Sequence, residues 1–201
     1  MKEFILILVS SVLVNNYVLS QTLGICPFLG VSKKLNQAVG MGMAVTVVLV
    51  MATAVTWPIQ NFVLSAFDLG YLQTIVFILV FAALVQLVVL FLKKAVPALH
   101  KSLGVYLPLI TTNCCVLAVC INSLKENNVP DMGALTFLFA LLYAFGSGIG
   151  FLLAMVMFAG VRERISASKP PKAFEGTPIT LISAAIVSLA FLGFDGLFSK
   201  L

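Results

Sequence analysis

Charged residues along this chain are confined to short gaps, and the stretches between the gaps are overwhelmingly apolar. Six uncharged stretches cover residues 4–32, 35–67, 69–92, 102–124, 132–161 and 176–194. A helix that crosses a bilayer needs about 20 mostly apolar residues. Each stretch holds one such helix, and none comfortably holds two. The pattern predicts an all-α integral membrane protein with six transmembrane helices.

Composition strengthens that picture. Of 201 residues, 61% are hydrophobic and 9% charged, where soluble domains carry about 25% charged residues. The length suits a single membrane domain over residues 1–201, and no signal-peptide layout opens it. The net charge of +5 reports topology rather than nucleic-acid binding. Lys33, Lys34, Lys93, Lys94, Lys101, Arg162, Arg164, Lys169 and Lys172 fall in gaps on one side, and only Lys2, Lys125 and Lys200 on the other. Basic loops stay cytoplasmic, so both termini are expected on the outer face of the membrane.

Two polar segments stand out. "KKAVPALHKSLG" (residues 93–104) is basic and amphipathic, which suits the cytoplasmic interface. "RERISASKPPKAFEGTP" (residues 162–178) reads as an exposed loop, either a docking face for a cytoplasmic partner or a connector against anionic lipid headgroups.

The two halves echo each other. "NNYVL" at 15–19 matches "NCCVL" at 113–117, "GMGMA" at 40–44 matches "GSGIG" at 146–150, and "FILVFAALV" at 77–85 loosely matches "LISAAIVSL" at 181–189. Three spans per repeat force opposite orientations, so the expectation is two inverted three-helix repeats, about 1–98 and 99–201. Such folds place sites at discontinuous helices. Spans 1 and 4 carry the breakers: Asn15, Asn16, Gly24, Pro27 and Gly30 in one, Gly104, Pro108 and "ITTNCC" in the other. Proline removes a backbone donor and ends or kinks a helix. Non-helical backbone at membrane depth survives only inside protein or along a cavity. Either these breaks build a site, or they are ordinary kinks held by Ser, Thr and Asn between helices. The glycine-rich stretches of spans 2 and 5 allow close helix approach.

The cysteines are Cys26, Cys114, Cys115 and Cys120. No Cys-x-x-Cys spacing occurs, and the lone His100 lies in a loop. Most buried cysteines act as small hydrophobes. Adjacent Cys114 and Cys115 would point about 100° apart on a helix, and Cys120 lies off the face of Cys114. The best pairing joins one cysteine from each break, Cys26 with Cys114. Two thiolates fall short of the four an iron–sulfur cluster takes. The acidic residues all sit at span ends or in loops, so a proton relay inside this chain is not expected.

The stretches "VLVNNYVL", "LGICPFLGVSKKL", "LGVYLPLITTNC", "VRERI" and "SLAFLGFDGL" resemble the A subunits of Rnf (Rsx) electron transport complexes, a family shared with the E subunit of the Na+-translocating NADH:quinone oxidoreductase. The resemblance covers essentially the whole chain, and "CPFLG" and "ITTNC" lean toward Rnf. It implies a multi-pass inner-membrane component of a ferredoxin:NAD+ oxidoreductase that moves Na+ or H+, with outward termini. It also implies a [2Fe-2S] cluster within the membrane, two cysteines coming from this chain and two from its sister, the E subunit of Rnf. By motif the ligands are Cys26 of "GICPF" and Cys114 of "TTNC", while Cys115 and Cys120 fall off the motif positions. The B, C, D and G subunits of Rnf complete the implied assembly. In the internal alignment Asn15 pairs with Asn113, so the two ligands are not symmetry mates. The alternatives are the equivalent component of the quinone reductase and a small inverted-repeat transporter.

Overall fold

The structure is a computed structural model. It describes residues 11–12, 16–32, 35–64, 73–95, 108–111, 113–126, 133–168, 171 and 174–198. All regular structure among them is helical: α1 (Ile25–Val31), α2 (Leu35–Ile59), α3 (Gln73–Ala95), α4 (Pro108–Thr111), α5 (Cys114–Glu126), α6 (Gly133–Ala167) and α7 (Thr177–Phe198). Pro58 lies near the end of α2, and the helix widens there into a π-helical turn, Gln60–Leu64. A missing backbone donor disrupts the ordinary ladder at such a point.

Two helical stretches, Leu35–Phe62 and Phe137–Ala167, are long and apolar enough to cross a bilayer. Thr74–Leu87, Cys114–Ser123 and Thr177–Gly193 are shorter apolar helices. The start of the first expected span, the amphipathic segment from residue 96 on, Asn15, Lys33, Lys34 and both chain ends lie outside the described residues.

Helices α2 and α6 form the spine, with the most extensive packing in the fold. Met41, Val45, Leu49 and Ala52 of α2 are buried, as are Ala144, Phe151, Ala154, Met155 and Phe158 of α6. Lipid is as apolar as these side chains, so close packing rather than water exclusion joins such helices. The glycines provide the approach. A methyl group on Gly42 would lie 3.1 Å from the Leu152 Cα, and one on Gly148 would lie 2.6 Å from Thr46 Cγ2. Helix α5 packs on the same spine, whereas α3 and α7 touch it more lightly. Ile75, Ile78, Leu79, Leu87 and Leu90 of α3 stay exposed, as do Leu181, Ile182, Ile186, Leu189 and Leu192 of α7. Apolar faces of this extent suit a lipid surround.

One expectation is corrected here. The stretch from residue 162 reads in sequence as the start of an exposed loop, but α6 continues to Ala167. Arg162 is half-buried and held by hydrogen bonds, while Glu163, Arg164 and Ser166 are exposed.

Candidate functional site

The backbone leaves the helical path ahead of α1 and again ahead of α5, and an asparagine governs each departure. Asn16 is 1% exposed. Its Oδ1 accepts the N–H groups of Val18 at 3.1 Å and Leu19 at 3.3 Å, and its Nδ2 donates to the Gly150 carbonyl of α6 at 2.9 Å. Asn113 does the parallel task. Its Oδ1 accepts the Cys115 N–H at 3.0 Å, and its backbone carbonyl accepts the Val116 N–H, opening α5. Short polar side chains that bond the backbone two or three residues on are the usual means of stopping or starting a helix. The side chains in matching roles are Asn16 and Asn113, one position away from the pairing of Asn15 with Asn113.

After Asn16 the chain turns through residues 17–20 and reaches Gly24 in the left-handed region, φ +77°. Glycine adopts that conformation without steric cost. It is also needed for space: a methyl group there would sit 2.9 Å from Asn113 Oδ1, 3.2 Å from Phe151 Cε2 and 3.3 Å from Cys115 Cβ. The two breaks therefore touch each other, against Phe151 of α6.

Each break then delivers one exposed cysteine in the first turn of the following helix. Cys26 is the second residue of α1 and Cys114 the first of α5, and both thiols are free and exposed. Cys115 and Cys120 are free and buried. Cys120 Sγ lies 3.6 Å from Thr53 Oγ1, and both side chains are buried. Among the described residues no three His, Cys, Asp or Glu side chains gather as a metal site.

Asn113 carries one further feature. It is 5% exposed, and with Oδ1 engaged, its Nδ2 finds no partner among the described residues. A buried amide donor left unpaired costs about 1–3 kcal/mol. A second polar cluster, not anticipated from sequence, ties the break to the bundle: the Tyr17 and Tyr143 hydroxyls are 2.6 Å apart, and Asn122 Nδ2 donates to the Tyr17 hydroxyl at 3.1 Å. Only the isolated polar residues in apolar spans hinted at it, because the partners are more than 100 residues apart in sequence.

A sequence model described as "Rnf-Nqr subunit, membrane protein" matches residues 4–198. The chain belongs to the Rnf-Nqr family. Among curated Rnf-Nqr relatives, the A subunit of the "Ion-translocating oxidoreductase complex" of Syntrophotalea carbinolica is 52% identical over 197 residues, 98% of each chain. The protein of the same name from an Azoarcus species is likewise 52% identical over 98% of each chain. The A subunit of the "Na(+)-translocating ferredoxin:NAD(+) oxidoreductase complex" of Acetobacterium woodii is 53% identical over 194 residues, 96% of this chain and 97% of that one. The likeness to these Rnf-Nqr relatives thus runs through both breaks and the helices around them, not just isolated motifs.

Proposed function

We propose that this chain is the A subunit of an ion-translocating ferredoxin:NAD+ oxidoreductase complex of the Rnf type, and that Cys26 and Cys114 hold one side of a [2Fe-2S] cluster shared with the sister E subunit. The observation that carries the reading is the approach of Gly24 to Asn113 and Cys115, which brings together the two breaks bearing exposed thiols. The donor set suits the group. Thiolates are the ligands iron–sulfur clusters take, usually four in number. Two here call for two more from a partner. The unpaired Asn113 amide is the kind of buried donor that sulfur ligands accept from.

When bound, such a cluster supplies a one-electron carrier inside the low-dielectric layer. The chain's own residues do the rest. Asn16 and Asn113 fix the two breaks by capping them, Gly24 lets them meet, and the α2–α6 spine holds both. Cys115 and Cys120 stay in the core as packing groups. The wider proposal comprises six spans as two inverted repeats in a single inner-membrane domain, with outward termini and the B, C, D, E and G subunits of the complex as partners.

The test is to purify the chain with its partner subunits and record iron content and the EPR spectrum of the reduced complex. Cys26→Ala and Cys114→Ala should each abolish the cluster signal, and Cys115→Ala and Cys120→Ala should keep it. A signal that survives loss of Cys26 or Cys114 refutes the ligand assignment. The family also includes the quinone-reducing complexes; the curated relatives' names favour the ferredoxin:NAD+ reading, and NADH-driven quinone reduction by the purified complex would overturn it.

A further inference from the structure

Helix α1 has seven residues, too few to stand as a helix without support. Its support comes from one stripe of α6. Phe151 meets Gly24 at the start of α1. Phe158 stacks on Phe28 in the middle, with ring centroids 4.2 Å apart and planes 20° off parallel. Arg162 closes the far end: Nη1 donates to the Leu29 carbonyl at 2.6 Å and to Ser32 Oγ at 2.9 Å. Residues spaced by seven and four fall on one face of a helix, so α1 lies along α6 in the same direction. The Leu29 carbonyl is among the last four of α1, which lack a partner within the helix. Ser32 is fully buried. Guanidinium reaches two acceptors at once and keeps its charge, which an ammonium on a flexible stem does less well.

We propose that Arg162 is a positioning residue that locks α1 onto α6 and so fixes where Cys26 stands relative to Cys114. This rests on the reading of Cys26 as a cluster ligand. Arg162 touches no reacting atom; it acts through the backbone of the segment that carries the cysteine. Losing a hydrogen bond from a charged donor shifts a local equilibrium by roughly tenfold or more, enough to populate a second placement of α1.

The experiment uses the full chain with Cys115→Ala and Cys120→Ala, nitroxide-labelled at Cys26 and Cys114 in membrane vesicles, with dipolar EPR as readout. Arg162→Gln should broaden or split the inter-label distance distribution. Arg162→Lys should restore it in part, and Glu163→Gln, which changes the exposed neighbour, should leave it unaltered. A distribution for Arg162→Gln that superimposes on that of the parent overturns the proposal. So does a broadening that Arg162→Lys does not reduce at all, since that would mark general loosening. Should Arg162→Gln fail to accumulate, Ser32→Ala removes one of the two acceptors and should broaden the distribution less; no change would again overturn the proposal. In the assembled complex, Arg162→Gln should move the midpoint of the cluster's EPR signal while Glu163→Gln leaves it in place. Absence of any cluster signal in the unsubstituted complex would refute the ligand reading alone, because the label distances are read without a cluster.

Discussion

Replacing Gly24 by alanine adds a single methyl group at the point where the two breaks meet. The structure gives two separate costs. The residue sits at φ +77°, and an L-residue with a Cβ pays about 1–2 kcal/mol in the left-handed region. The added carbon would also lie 2.9 Å from Asn113 Oδ1, 3.2 Å from Phe151 Cε2 and 3.3 Å from Cys115 Cβ. Asn113 cannot swing away freely, because its Oδ1 holds the Cys115 N–H. Forcing a methyl group into a filled site costs about 1–3 kcal/mol. Together the loss is about 2–5 kcal/mol, the sum of those two ranges. Gly160→Ala is the matched control: nothing lies within 4 Å of a methyl group there, and alanine in a helix interior gains about 0.5–1 kcal/mol over glycine. Thermal midpoints of the purified complex, with iron content beside them, are the assay. Gly24→Ala should lower both and Gly160→Ala should lower neither. Equal midpoints and equal iron in the two variants would refute the claim that the breaks meet at Gly24.

Two further outcomes follow from other parts of the fold. At Gly148 an added methyl group would meet Thr46 at Cγ2, Oγ1 and Cα, at 2.6, 2.9 and 3.0 Å. Gly148→Ala should therefore cost about 1–3 kcal/mol in thermal stability, and Thr46→Ala should recover only part of it, because the crowding against the Thr46 backbone persists. Full recovery would mean that side-chain atoms alone set the α2–α6 distance. The proposed outward orientation of both termini rests on the charge distribution along the sequence; a compartment-sensitive reporter fused after Leu201 should be active only in the outer compartment, and cytoplasmic activity would reverse the orientation.

Much of this was legible because the bilayer is a demanding solvent. Charge-free runs mark where helices lie, and the two longest helices lie largely within the runs 35–67 and 132–161. The glycines at 42 and 148 were readable as close-approach points for the same reason: lipid gives little else to bring helices together. The breaks were visible as asparagine, proline and glycine in apolar surroundings. What each breaker does was not visible. That Asn16 reaches the Gly150 carbonyl depends on a partner 134 residues away, and no local period encodes it. Arg162 lies in helix rather than loop for a related reason. "RERISASKPPK" is polar enough to be a loop, but strong helix formers need no apolar face to extend a helix already nucleated, and the buried end of α1 gave the arginine something to hold. The tyrosine pair left only a faint trace, since a single tyrosine in a span commonly sits at the interface.

Among the described residues, carboxamides, hydroxyls, a guanidinium and the peptide backbone supply hydrogen bonds that shape the two breaks. Carboxamides, guanidinium and peptide groups keep one protonation state through the ordinary pH range. The chain's one histidine, the side chain that ordinarily titrates near neutral pH, is His100, outside the described residues. A membrane-embedded protein faces two compartments whose acidity differs and fluctuates. Among the described residues, the contacts that Asn16, Asn113 and Arg162 make around the two breaks are of kinds that acidity on either side does not switch, so a change in the proton gradient leaves these particular contacts in place.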